Sequence, residues 1–328
     1  MIRRYYILPL RPGVDDRRVR ELLDVLRAAD RFIPGLVDSS ADLDLGSRTV
    51  VWENTFVDEA SYSGPYMVHP YHIAAIDDYV MADSPECLTQ DIYATRFQTP
   101  DASQALRSGV RRVLLLNLGS PEDADAVRAM AASADGMEVS SFGADDVGWV
   151  SAKGRPWTHI WEQAFTDIDQ LTRYLATRDG IARSTREGFS RLGVDVRSLQ
   201  VFTCPFELTR LELQTPPTTE PEGPVRYTIT ARVDVDDVDR FVELLERLYD
   251  PVMADAGAPL VERYRTVRQG YLQVEVTSSW RIDALALYSD IRASTYADPA
   301  WNEFVRDAMP LVRGGTRRFA TDLPRANP

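Results

Sequence analysis

Apolar residues along the chain follow two alternating rhythms, one recurring at every second position and one at every third or fourth. Over Thr49–Phe56 the period is two. Val50, Trp52, Asn54 and Phe56 share one side and Val51, Glu53 and Thr55 the other, as in a strand. Over residues 15–29 the spacing lengthens to place Val19, Leu22, Leu23 and Leu26 on one helical face, and Ile33-Pro34-Gly35 ends the run. The same alternation predicts an opening strand around Tyr5-Tyr6-Ile7-Leu8 and closing strands at residues 90–97 and 199–206. Further along, residues 225–231 read as a strand. Val238, Phe241, Val242, Leu244, Leu245 and Leu248 read as a helix, and residues 271–277 as a half-buried strand.

The rhythm also repeats. Trp52-Glu53-Asn54-Thr55-Phe56-Val57-Asp58 returns 109 residues later as Trp161-Glu162-Gln163-Ala164-Phe165-Thr166-Asp167. Tyr5-Tyr6-Ile7-Leu8 answers to Val113-Leu114-Leu115-Leu116, and Tyr66 to Tyr174, both at a distance of 108. Three anchors at nearly one offset indicate a duplication, and the third stretch reads as a fainter copy. Each copy runs strand, helix, strand, strand, helix, strand. The expected fold is α+β: three tandem ferredoxin-like modules at residues 1–98, 110–208 and 224–323, each an antiparallel four-stranded sheet with helices on one face. Residues 98–103 and the proline-rich 214–224 read as linkers. A sheet covered on one face needs a cover on the other, so sheets are expected to pair face to face into α/β-barrels. Modules one and two could form one barrel within the chain; module three would then seek its own copy, which predicts a homodimer.

Composition narrows the function. A net charge of −13 with no Lys/Arg stripe argues against nucleic acid and against an anionic membrane surface. No segment approaches the roughly 20 apolar residues of a membrane span, and Pro9, Pro12 and Gly13 interrupt the apolar start before it could serve as a signal peptide. The expected location is the cytoplasm. Cys87 and Cys204, far apart, are expected to be buried thiols. Lys153 is the sole lysine, so arginine supplies every other cationic side chain. No glycine-rich phosphate loop or dinucleotide fingerprint occurs; Asp179-Gly180 and Gly314-Gly315 read as turn signals.

Two of the three histidines lie in Tyr66-Met67-Val68-His69-Pro70-Tyr71-His72. This segment resembles the Tyr-x-x-His-Pro-x-His motif of the stress-responsive dimeric α/β-barrel (Dabb) family, and Arg11-Pro12-Gly13-Val14 and Ile33-Pro34-Gly35 also resemble the family pattern. The resemblance covers residues 1–98 well, 110–208 in degenerate form, and the last third only at the level of the fold. It implies a small-molecule substrate, no cofactor, and the chemistry of the family's polyketide cyclases, an intramolecular aldol condensation. His72 would then be the general base and Tyr66 the partner of the oxyanion, with His69 a further candidate. The strand rule places Arg4, Tyr6, Trp52 and Asn54 as pocket walls, with His159 as an addition from module two. Relatives often carry histidine where Arg4 stands, and an arginine there favours an anionic group.

Each of these residues also has a plainer explanation. His69 before Pro70 marks a helix start, His72 could be a satisfied buried histidine, Tyr66 and Trp52 could be core aromatics, and His159 could hold only a local hydrogen bond. His69 and His72 with Asp77, Asp78 or Glu53 have the donor types of a metal site, but Pro70 breaks the register that would align them, so no metal is expected. In module two the motif positions are Tyr174, Thr177, Arg178 and Gly180, without the base; in module three Asp298-Pro299 falls there and could cap a helix. Similar barrels include cofactor-free monooxygenases of phenols, and a non-enzymatic, stress-associated or ligand-carrying barrel protein is the other rival. The sequence leaves these as alternatives to the cyclase.

Overall fold

The alternating stretches become three sheets with one strand order. The computed structural model describes residues 1–98, 106–133, 135–144, 157–208, 223–266 and 272–321. The linkers expected at 98–103 and 214–224 fall almost wholly outside the described residues, as do Lys153 and Tyr271. Sheet one contains β1 (Ile2–Pro9), β2 (Leu36–Leu43), β3 (Thr49–Phe56) and β4 (Tyr93–Gln98). Sheet two contains β5 (Ser108–Leu118), β6 (Val139–Ala144), β7 (His159–Phe165) and β8 (Val196–Glu207). Sheet three contains β9 (Val225–Asp234), β10 (Leu260–Arg265), β11 (Gln273–Ile282) and β12 (Val312–Thr321). Every sheet is antiparallel and orders its strands second, third, first, fourth. That order, with helices after the first and third strands, is the ferredoxin-like α+β arrangement.

The chain divides into two compact units that cut across the repeats. Unit one is Met1–Tyr62 with Gln90–Gln214, and unit two is Ser63–Thr89 with Thr215–Pro328.

In unit one, sheets one and two lie face to face. Alternation turns Tyr5, Ile7, Val51 and Tyr93 of sheet one toward Val113, Leu115, Ile160 and Phe202 of sheet two, and these form one buried core. The sheet edges meet as well: β2 runs beside β8 and β4 beside β6. Just past β2, the Leu45 amide donates to the Thr203 carbonyl at 2.7 Å, and the Thr203 amide donates to Asp44 Oδ1 at 2.6 Å. Two sheets closed on each other at both edges make a barrel. Outside the barrel, the helix Asp16–Arg27 buries Val19, Leu22, Leu23 and Leu26, the face read from the sequence, and Asp15 caps its first amides. The helix Pro121–Ala132 covers sheet two in the same way.

Charged residues also lie inside this barrel. Arg3 and Glu53 of sheet one and Arg111 and Glu162 of sheet two are all buried and joined in a ring. Arg3 Nε lies 3.0 Å from Glu53, Arg111 Nε lies 2.9 Å from Glu162, and each guanidinium also bonds the carboxylate of the other sheet. The duplication accounts for the pattern, since Arg111 stands 108 residues after Arg3 and Glu162 stands 109 after Glu53. One Arg–Glu pair per module meets its copy across a local two-fold relation.

In unit two, Tyr227, Trp280, Tyr249 and Tyr288 pack under the helices Tyr288–Ala297 and Pro299–Asp307, and Ile73 of module one belongs to the same core. The other face of sheet three carries hydroxyl pairs where sheets one and two carry apolar side chains: Thr228 with Ser279 at 2.9 Å and Thr230 with Thr277 at 3.0 Å. Gly314 and Gly315, read as a turn, instead lie inside β12, where the register slips beside Val312. Asp179-Gly180 likewise sits inside the short helix Arg178–Ala182. Gly315 has φ +153°, and a Cβ there would come 1.9 Å from the Thr230 carbonyl oxygen. The Gly315→Ala substitution is expected to cost about 1–3 kcal/mol. Thermal melting checks this, and an unchanged midpoint would show that the bulge accommodates a side chain.

Candidate active site

The structure places the expected catalytic residues on Ser63–Thr89, which belongs to unit two. Arg4, Tyr6, Trp52, Asn54 and His159 belong to unit one.

The motif segment is wound unusually. The residues from Tyr62 to Tyr66 and from His72 to Ile76 form π-helical turns, and the latter runs on into the α-helix Asp77–Val80. In the π turn the Asp77 amide bonds the His72 carbonyl, so residues five apart stand one above the other. The Asp77 carboxylate is thereby brought to the imidazole, with His72 Nε2 3.7 Å from Asp77 Oδ1. Both residues are buried. Arg292 pairs with the other carboxylate oxygen of Asp77, fixing its orientation. The Tyr66 ring, wholly buried, lies against the His72 ring with centroids 4.2 Å apart. A tyrosine, an imidazole and a carboxylate therefore stand in sequence, the last anchored by a guanidinium.

This segment is built into unit two by polar contacts along its length. Ser289 Oγ donates to the Met67 carbonyl at 2.6 Å, and Arg317 donates to the Ile73 carbonyl and to the Tyr288 hydroxyl. Arg317 Nε is 3.5 Å from Asp78, and the Tyr227 hydroxyl donates to Asp83 at 3.2 Å. Burial holds Tyr227 well above its usual range and Tyr288 at about 12, so both are neutral phenols at physiological pH.

His69 has a different geometry. Its Nδ1 accepts the Tyr71 amide at 3.2 Å, two residues on and across Pro70. At the corresponding place in module two, Thr177 Oγ1 accepts the Gly180 amide at 2.9 Å, and in module three Asp298 accepts the Ala300 amide at 2.8 Å. All three modules satisfy the start of this helix with the side chain at that position. Burial lowers the basicity of His69, which keeps its Nδ1 available as the acceptor.

In unit one the four wall residues share the helix-facing side of sheet one, opposite the barrel core. Tyr6 stacks on Trp52 with centroids 4.6 Å apart, and the Arg4 guanidinium lies over the rings of Tyr6 and Tyr62 at 4.2 and 4.4 Å. Trp52 Nε1 and Asn54 Nδ2 both donate to Ser39 Oγ, which in turn donates to the Leu26 carbonyl. Arg4 Nη1 and Asn54 Oδ1 are buried without a hydrogen-bond partner among the described residues. His159 also faces its own helix layer. It stacks on Phe142 and its Nδ1 lies 2.8 Å from the Thr158 hydroxyl, while burial and the nearby Arg128 lower its basicity.

The sequence reading named Asp77 beside His72 only as a metal-donor type and missed the direct pairing, because residues five apart do not face each other on an α-helix. It also missed Arg292, 215 residues away from Asp77. Among the described residues no three His, Cys, Asp or Glu side chains are grouped to hold a metal ion. Cys87 and Cys204 are buried free thiols, and burial pushes Cys204 up to about 12. No helix among the described residues is long and apolar enough to cross a membrane.

No known family's sequence profile matches the chain. No curated protein matches it either. Solved structures do. An uncharacterized NIPSNAP domain protein from Burkholderia xenovorans is 19% identical, covering 32% of this chain and 99% of that one, with a TM-score of 0.28. A NIPSNAP family protein from Agrobacterium tumefaciens str. C58 is 14% identical over 32% of this chain and 91% of its own, also with a TM-score of 0.28. An anthrone oxidase-like protein is 12% identical over 63% of this chain and 91% of its own, with a TM-score of 0.43. The α+β assignment rests on the strand order of the three sheets.

Proposed function

We propose that the protein is an enzyme of cofactor-independent proton abstraction, with His72 as general base, and that it closes a ring in a polyketide-like polycarbonyl substrate by aldol condensation. The observation that carries this reading is the dyad of His72 and Asp77 beside the Tyr66 ring. The substrate class comes from the resemblance of the Tyr66 to His72 segment to the Dabb cyclases.

In the proposed step the Nε2 side of His72 faces Asp77 and Nδ1 receives the proton of the substrate. A C–H between two carbonyls gives its proton to Nδ1, leaving an imidazolium and an enolate. The enolate carbon bonds to a distant carbonyl carbon, whose C=O electron pair becomes an alkoxide. The imidazolium returns the proton to that oxygen, and elimination of water completes the aromatic ring. Asp77 stabilises the imidazolium in between, and the Tyr66 hydroxyl donates to the enolate oxygen. In unit one, Arg4, Tyr6, Trp52 and Asn54 are proposed as ligand-binding residues, the first for an anionic group and the aromatic pair for a planar one.

The test is a metabolite comparison in cells lacking the gene, rescued by wild type or by His72→Ala. Wild type is expected to restore a product that disappears without the gene. His72→Ala should leave its precursor in place, its turnover reduced by about 10²–10⁴. A precursor equal in mass to the product, or one water heavier, means ring closure. A precursor one oxygen lighter overturns the cyclase reading in favour of oxygenation, and equal rescue by both versions removes the base mechanism.

A further inference from the structure

Module two lacks the histidines of module one but keeps a buried cation in the same place. Arg112, Gln163 and Tyr174 occupy the positions of Arg4, Asn54 and Tyr66. Here all three are joined: Arg112 Nη1 donates to Gln163 Oε1 at 2.9 Å, and Gln163 Nε2 donates to the Tyr174 hydroxyl oxygen at 3.4 Å. Arg112 is 4% exposed, and among the described residues it has no carboxylate within ion-pair distance. Burial alone has drawn it down to about 10. A guanidinium out of water is normally paired with a carboxylate, as Arg3 and Arg111 are in the neighbouring barrel core. Among the described residues Arg112 has only a neutral amide as its side-chain hydrogen-bond partner, so no anion there offsets its charge.

The chain of bonds leads to a cleft. Tyr174 is buried and forms the floor of a hollow of about 420 Å³, with Arg183 half-buried beside it and Gly136 opposite. Burial keeps the Tyr174 hydroxyl protonated well past neutrality, with the nearby charges of Arg183 and Arg112 acting against it. Its oxygen accepts from Gln163, and the phenol keeps its own proton as a donor. Arg173, Asp135 and Asp179 are exposed at the rim, where opposite charges offset each other. The floor is cationic, and it is backed by an apolar wall of Phe165, Leu171 and Met137 around the Tyr174 ring. A floor of one phenol donor and one guanidinium, with a second guanidinium behind, matches the two oxygens of a carboxylate on an apolar body.

We infer that the cleft of module two binds a small organic carboxylate, held by Tyr174 and Arg183 and stabilised by the buried charge of Arg112. This site is independent of the His72 reaction.

Calorimetry and thermal melting of the full chain with benzoate, and with benzamide as its neutral counterpart, test the assignment. Benzoate is expected to bind saturably and raise the melting midpoint, while benzamide does neither. Tyr174→Phe, which keeps the ring packing, and Arg183→Gln, at a half-buried position, should each weaken benzoate binding at least tenfold without lowering the unliganded midpoint much. Arg112→Met should abolish binding, and if that variant fails to fold the other two still decide. No benzoate binding, equal binding of benzamide, or unchanged binding in both Tyr174→Phe and Arg183→Gln overturns the site. Inorganic phosphate binding as tightly as benzoate overturns the carboxylate assignment.

Discussion

Replacing Glu162 with glutamine is expected to destabilise unit one by about 3–5 kcal/mol, the range for breaking a buried ion pair from one side. The carboxylate is wholly buried between Arg3 and Arg111, and its loss removes the charge that bridges the two guanidiniums. The local two-fold relation makes the expectation sharper. Glu53→Gln removes the other carboxylate from the same pair of arginines, so its cost should equal that of Glu162→Gln to within about 1 kcal/mol. Removing charges in balance, as in Arg3→Met with Glu162→Leu, should recover much of the loss, because the penalty lies in the unpaired ion. The pH dependence follows from the same ring. Burial pushes the Glu162 carboxyl up, but Arg3 and Arg111 together outweigh it and hold the group below its usual range. A depressed carboxylate contributes stability that is fully present above the unfolded value of about 4.3 and is lost as pH falls through the folded value. Wild type should therefore lose stability below about pH 4.3 more steeply than Glu162→Gln does. Urea melts at several pH values check both parts. Unequal costs for the two glutamates would mean that the ring is not shared evenly.

The barrel was legible in the sequence and its charged centre was not, for a single reason. Alternation and the 109-residue offset of Trp52 and Trp161 locate strands and copies, because apolar residues on one face must be buried whatever lies opposite. That gave the limits of β3 and the buried face of the first helix. The same rule puts Glu53 on a face with Val51 and Thr55 without saying that this face would be interior. Charged residues are ordinarily exposed, so Arg3, Glu53, Arg111 and Glu162 do not look like core positions. The signal available was their repetition at the duplication offset, since a charge kept in both copies can meet itself across the two-fold relation. The placement of Ser63–Thr89 in unit two depends on contacts such as Arg292 with Asp77 and Arg317 with the Ile73 carbonyl, which join residues more than 200 positions apart. No local pattern encodes those. The capping role at His69 was partly legible, because Pro70 announces a helix start and Asp298-Pro299 repeats the arrangement.

Asp77→Asn is the substitution that separates chemistry from architecture at the motif. If the carboxylate orients His72 and stabilises its protonated form, the variant should lose about a hundredfold or more in turnover. Its acid limb should also move to lower pH, because a negative charge 3.7 Å from Nε2 favours protonation of the ring and its removal disfavours it. A merely structural Asp77 would change the folded fraction and leave the shape of the pH profile alone. Structure will be affected in any case, since Asp77→Asn leaves the largely buried Arg292 without its carboxylate. The paired variant Asp77→Asn with Arg292→Met removes that unpaired charge and is expected to regain stability without regaining turnover. Rates measured on fully folded protein across pH 5–8 then decide. A shifted limb with turnover still low in the paired variant establishes Asp77 as the positioning residue of the base. A profile that coincides with wild type, or activity that returns with stability, assigns Asp77 to anchoring the segment on unit two and leaves His72 to act unaided.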